Sequence, residues 1–115
     1  MPDIQAVAPV DLAEGLQRAG NDRAFYKELL EMLVADLPRQ AAEMRTALER
    51  GDLEALRRTA HAVKGAAASL AAGTARELAF QIETFARSGR PDGIAPLITD
   101  LEQEGERLRA FAGEL

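Results

Sequence analysis

The chain of 115 residues contains no cysteine, no tryptophan and a single histidine, His61, and only 4% of it is aromatic. Without cysteine there is no disulfide and no thiolate metal site, which fits a reducing, cytoplasmic setting. A di-metal site of the helical-bundle kind needs Glu three residues before His on two helices. There is no second histidine, and Arg58 stands where that glutamate would be. Nowhere do about 18 apolar residues run together, so no segment reads as membrane-spanning, and residues 1–10 lack the basic and apolar regions of a secretion signal. Positive charge is scarce as well: the formal net charge is -5. That excludes a general nucleic-acid binder, because such proteins draw their affinity from Lys and Arg placed against phosphates.

What the chain does have is aliphatic and alanine-rich: 47% of it is hydrophobic. A core of Leu, Ile, Val, Met and Ala suits close-packed helices better than a β-sandwich, and the length suits one core. Residues 1–8 read as a loose arm and 9–115 as one domain. Val10, Leu12, Ala13 and Leu16 predict a short helix ending near Gly20, a lid on the bundle. Asn21 is the expected cap of a long helix whose apolar stripe is Leu30, Leu33, Leu37, Ala41, Met44 and Leu48. The stripe keeps its phase across Pro38, which predicts one kinked helix rather than two. Gly51 and Asp52 stop that helix and cap the next, with stripe Leu53, Leu56, Ala60, Val63, Ala67 and Leu70.

A turn is expected around Ala71 to Gly73, with Thr74 and Glu77 spaced as a capping box. Leu78, Ile82 and Phe85 give the buried face of the fourth long element, residues 88–93 a loop, and Ile94, Leu97, Ile98, Leu101 and Leu108 the last helix. Gly105 lies on that last stripe, where it would allow close helix approach. Amphipathic helices joined this tightly imply an all-α, antiparallel up-down four-helix bundle with a short additional N-terminal helix.

His61 sits beside the third stripe, turned from the core by one residue, about 100° of helix, and so is expected to be at least partly exposed. Arg57, His61, Lys64, Gly65 and Ala68 share its face. Gly65 is out of place in a helix interior, where glycine costs about 1 kcal/mol relative to alanine. It serves either close helix packing or the approach of another molecule to the imidazole. Lys64, one turn away, would place positive charge beside an anionic group on the ring, or is an ordinary surface lysine. If the hairpin turns about Ala72, residues whose numbers sum to about 144 lie level. Glu83 is then level with His61, Arg87 with Arg57, and Phe80 with Lys64. A carboxylate on one imidazole nitrogen would leave the other free as a nucleophile. Phe80 is either a buried aromatic, the default, or an exposed partner contact. Ser69 is roughly 12 Å along the helix from His61, too far to be its activated nucleophile.

The run His61-Ala62-Val63-Lys64-Gly65, followed by Ala66, Ala67 and Leu70, with Ile82-Glu83 on the next helix, resembles the signature of histidine-containing phosphotransfer (HPt) domains. The likeness extends to Asp36-Leu37-Pro38 and to Gly51-Asp52-Leu53. Val63 replaces the more usual Leu, and Ala71 stands where the family often has Gly. The resemblance implies a phosphorelay carrier: His61 as phosphoacceptor, Lys64 as charge partner, Glu83 orienting the imidazole, and Gly65 as the gap where a response-regulator receiver domain docks. Ala68, Arg57 and Arg87, placed on the same edge by spacing, are the further candidates for that contact, the arginines being otherwise ordinary exposed residues. It also implies no cofactor in this domain, with the receiver bringing Mg²⁺ and its own aspartate, and a hybrid sensor histidine kinase as a further partner. No glycine-rich phosphate loop or Mg-ATP cluster is present, so the chain reads as a carrier and not an autonomous kinase. Two other readings stay open: the phospho-accepting domain of a chemotaxis-type kinase, and a structural bundle whose histidine is incidental.

Overall fold

Three aspartates start three of the helices. The computed structural model describes residues 7–115, so most of the expected arm at 1–8 lies outside the described residues. Within them, α1 (Leu12–Arg18), α2 (Arg23–Glu49) and α3 (Leu53–Ser69) follow Asp11, Asp22 and Asp52. Each carboxylate accepts from the backbone N–H three residues on, satisfying one of the donors a helix start leaves unpaired. Asp22, and not Asn21, is therefore the cap of α2. Asn21 instead adopts a left-handed conformation at φ 61° in the preceding turn.

α4 (Gly73–Arg87) and α5 (Ile94–Gly113) begin without a side-chain cap. The expected Thr74–Glu77 capping box does not form, because the helix starts at Gly73, before Thr74 could act as its cap. The loop between α4 and α5 falls at 88–93 as expected.

The first four helices close in one way. In each, an N–H just past the helix end reaches back five residues, and the residue before it has positive φ. This closure requires the left-handed region. Glycine fills the position at Gly20, Gly51 and Gly89, but after α3 it is Ala71, at φ 56°.

The four long helices form a ring in which α3 packs on α2 and α4, and α5 packs on the far sides of both. α2 runs unbroken through Pro38. Its expected core residues Leu30, Leu33, Leu37, Ala41 and Met44 are buried, joined by Tyr26, Val34 and Ala47, while Leu48 is only partly covered. The α3 stripe is buried from Leu56 to Leu70, with Leu53 half-covered. α4 contributes Ala75, Leu78, Ala79, Ile82 and Ala86, while Phe85 is partly buried. The α3–α4 contact is thus rich in alanine, whose small side chains let two helices come close. Gly105 does the same between α5 and α2: a Cβ there would sit 3.3 Å from Leu37 Cδ1.

α1 lies across the α3–α4 turn, as a lid would. The Asp11 N–H donates to the Ala71 carbonyl at 2.9 Å, Arg18 donates to the Ala68 carbonyl, and the buried Tyr26 hydroxyl donates to the Leu70 carbonyl at 2.7 Å. A Cβ at Gly15 would fall 2.6 Å from the Tyr26 ring, so α1 needs glycine to sit against it. At the other flank Arg107 donates to the Val7 carbonyl and to Glu104.

Candidate functional site

The alanine-rich contact sets α3 and α4 close enough for side chains on their shared outer edge to meet. Arg57, His61, Lys64 and Ala68 run along α3, and Arg76, Phe80, Glu83 and Arg87 run along α4 at spacings of three and four residues, one helix face each. The turn about Ala72 brings the two rows into the expected register. His61 Nδ1 lies 2.6 Å from Glu83 Oε2, and Lys64 Nζ lies 5.4 Å from the centre of the Phe80 ring.

Glu83 is the centre of the cluster. Its side chain is completely buried, while His61 is 62% exposed. One carboxylate oxygen takes the imidazole; the other, Oε1, accepts from Lys64 Nζ at 2.6 Å. Arg87 adds an ion pair to Oε2 at 3.3 Å. Burial pushes the Glu83 carboxyl up, but the hydrogen bonds from Lys64 and His61 more than offset it and hold the group below the usual carboxylate range. An ionised carboxylate can only accept, so the proton of the neutral imidazole is on Nδ1 and the lone pair on Nε2. Among the described residues Nε2 has no hydrogen-bond partner.

The surroundings are cationic. Arg57 is held by Glu54 through two hydrogen bonds, 3.0 Å from Nε and 2.7 Å from Nη2, and Arg58 approaches the same carboxylate at 4.0 Å. Arg57, Arg58, Lys64 and Arg87 thus gather around Glu54 and the buried Glu83 in a chain that is acidic overall, while Arg76, farther along α4, lines a hollow with Asp11, Glu14 and Glu77. Gly65 is exposed, and a Cβ built there meets nothing within 4 Å. Helix packing is therefore not what requires it.

The family model for the Hpt domain matches residues 28–111. The chain is an Hpt domain. Two solved structures share its fold. Histidine-containing phosphotransfer protein B from Pseudomonas aeruginosa PAO1 superposes with a TM-score of 0.83 at 26% identity, over 92% of each chain. The HPT domain from the Hpt sensor hybrid histidine kinase from Shewanella gives a TM-score of 0.75 at 23% identity, over 93% of this chain and 92% of that one. No curated protein matches the chain.

Membership in the Hpt family makes this a histidine phosphotransfer domain of phosphorelay signalling, a carrier class that relays phosphoryl groups with receiver domains and hybrid kinases. None of the Hpt domain's described helices is long and apolar enough to cross a membrane.

Of the residues singled out from sequence, the fold of this Hpt domain brings His61, Lys64, Glu83 and Arg87 into one cluster. Arg57 is level with Arg87 but is held by Glu54. Gly65 and Ala68 lie on the same α3 face. One of these expectations needs correction. Phe80 is not a buried aromatic: it is 44% exposed, because the α4 core face is filled without it. Lys64 is more than an ordinary surface lysine, since its amine is hydrogen-bonded to the carboxylate that also holds His61. Arg76 was not singled out from sequence, although the rule that pairs Phe80 with Lys64 pairs it with Ala68 and places it on the same α4 edge.

Proposed function

We propose that His61 is the phosphoacceptor of this domain and that it exchanges the phosphoryl group with an aspartate of a receiver domain. The observation that carries this is the Nδ1 contact to an ionised, buried Glu83, which directs the lone pair of Nε2 outward. In the forward step Nε2 attacks the phosphorus of the receiver's aspartyl phosphate. The Nε2–P bond forms as the P–O bond to the aspartate breaks, and that carboxylate leaves with the electron pair. The Nδ1 proton stays between His61 and Glu83, whose negative charge balances the positive charge that develops on the ring. The reverse step returns the group to a second receiver.

Such a transfer asks mainly for alignment and charge, through a loose in-line transition state. Lys64 and Arg87 supply positive charge at the ring's edge, and Gly65 leaves the α3 surface open for the receiver. Arg57 and Ala68 extend the contact along the same face. The receiver contributes the aspartate and its Mg²⁺. The domain itself acts as a carrier with no ATP site of its own, and we place the exchange in the cytoplasm.

The test is transfer of radiolabel. A receiver phosphorylated on its aspartate should label this chain with an acid-labile, base-stable adduct, and His61→Gln should abolish the label. ATP alone should give none. Label that persists in His61→Gln rules out His61 as the acceptor.

A further inference from the structure

We infer that Phe80 is the apolar anchor of the face on which the receiver docks, so that it governs the affinity of the encounter and not the chemistry at His61. This rests on the phosphorelay reading and adds a contact to it. α4 buries Ala75, Leu78, Ala79, Ile82 and Ala86, and needs nothing from Phe80, which points away from that face and is 44% exposed. Phe80 is nevertheless not adrift. Lys64 Nζ lies 5.4 Å from its ring centre while hydrogen-bonded to Glu83, so one ammonium links the ring to the carboxylate that holds the histidine. The ring therefore lies one helical turn from Glu83, linked through Lys64 to the carboxylate that holds the exposed imidazole.

The setting fits a protein partner with an acidic centre. Protein interfaces concentrate aromatic side chains at an apolar core and surround them with a polar rim. Here Phe80, with the small Gly65 and Ala68 across the α3 edge, is flanked along α4 by Arg76 on one side and Arg87 on the other. A receiver presenting an aspartyl phosphate would meet Lys64 and Arg87 around the buried Glu83 and the Phe80 ring one turn farther along α4, where Arg76 stands beside Glu77. Phe80 has a two-torsion side chain already limited by Lys64, so little freedom is lost when a partner covers it.

The experiment uses the full chain and a panel of phosphorylated receivers, taking the one that labels the wild type fastest. Phe80→Ala should raise the apparent KM for that receiver roughly tenfold, as truncation of an interface anchor does. The rate at saturating receiver should change by less than about twofold. Phe80→Leu should recover most of the affinity. Phosphoramidate, a small donor that needs no docking face, should label His61 in Phe80→Ala at the wild-type rate, with helix content by circular dichroism unchanged. An unchanged KM in Phe80→Ala overturns the inference and leaves the phosphorelay reading standing. So does a loss of phosphoramidate labelling that parallels the loss of receiver transfer, since Phe80 would then act on the ring through Lys64. Failure of both donors to label wild-type His61 removes the phosphorelay reading itself, and the docking role with it.

Discussion

His61 and Glu83 are 22 residues apart in the chain and 2.6 Å apart in the fold, with Nδ1 of the ring directed at Oε2 of a carboxylate that has no exposed surface. A contact of this kind between a buried acceptor and an exposed ring fixes which imidazole nitrogen faces outward. It also makes Glu83 depend on its cations, because a buried carboxylate without them is costly.

Replacing Glu83 should separate orientation from charge. Glu83→Gln retains an oxygen that can accept from Nδ1 but loses the charge that pairs with Lys64, so transfer should slow by about tenfold. Glu83→Ala removes both functions and should cost on the order of a hundredfold. Nitrogen-15 spectra of the imidazole should show the Nδ1–H tautomer retained in the first variant and a mixture of tautomers in the second. Equal transfer rates in all three proteins would mean that the contact does not serve the chemistry.

Gly65 should behave unlike Gly15 and Gly105, the helical glycines that pack against a neighbouring helix. Its position is open, so Gly65→Ala should stabilise the fold by about 1 kcal/mol, the ordinary gain from alanine in a helix interior. Gly65→Gln should fold equally well yet weaken receiver transfer by covering the approach to the ring. Gly15→Ala should instead destabilise, since its Cβ would meet the Tyr26 ring at 2.6 Å. Urea melts alongside transfer assays check all three. Normal transfer by Gly65→Gln would sink the docking role of this residue.

Acid should act oppositely on the two buried glutamates. The Glu83 carboxyl lies below its unfolded value, so its contribution to stability is complete above about pH 4.3 and is lost as the pH falls through the lower folded value. The destabilisation caused by Glu83→Gln should therefore be largest at pH 7 and shrink toward pH 3. Glu104 is 3% exposed and its Oε2 accepts no hydrogen bond. Burial raises its carboxyl, and the partial offset from Arg107 does not cancel that. Its ionised form therefore weakens the fold at neutral pH, a penalty relieved as the pH falls through the raised value. Glu104→Gln should stabilise by roughly 1 kcal/mol at pH 7 and by less at pH 4. Denaturation at the three pH values reads both signs.

Ala71 invites one stabilising change. It holds a left-handed conformation that costs an L-residue roughly 1–2 kcal/mol, at a position where Gly20, Gly51 and Gly89 serve the equivalent turns. Part of that gain is offset by the greater freedom of glycine in the unfolded chain. Ala71→Gly should still raise stability by about 0.5–1 kcal/mol, with receiver transfer unchanged. A lower melting temperature in this variant would contradict the strain argument.

Much of this domain is determined by periodicity and punctuation in the chain. Apolar residues at steps of three and four define each buried face, and Gly51-Asp52 marks one turn from residue types alone. Because helices rise equally per residue, the short turn at Ala71 and Ala72 was enough to set His61 level with Glu83 and Lys64 with Phe80. Which aspartate or asparagine caps a helix, and where α4 begins, depended on one or two residues of backbone conformation that several residue types can adopt.

The character of the site was decided only in three dimensions. Whether Glu83 is an ordinary surface glutamate or a fully buried carboxylate depends on how closely α3 approaches α4, and alanines on both helices set that distance. Once it is buried, Lys64, His61 and Arg87 converge on its two oxygens, because a carboxylate removed from water must find its partners in the protein. Phe80 stays on the surface because the buried face of α4 is made by Ala75, Leu78, Ala79, Ile82 and Ala86. Residue spacing put these groups on one edge, and the depth of helix packing assigned each its place there.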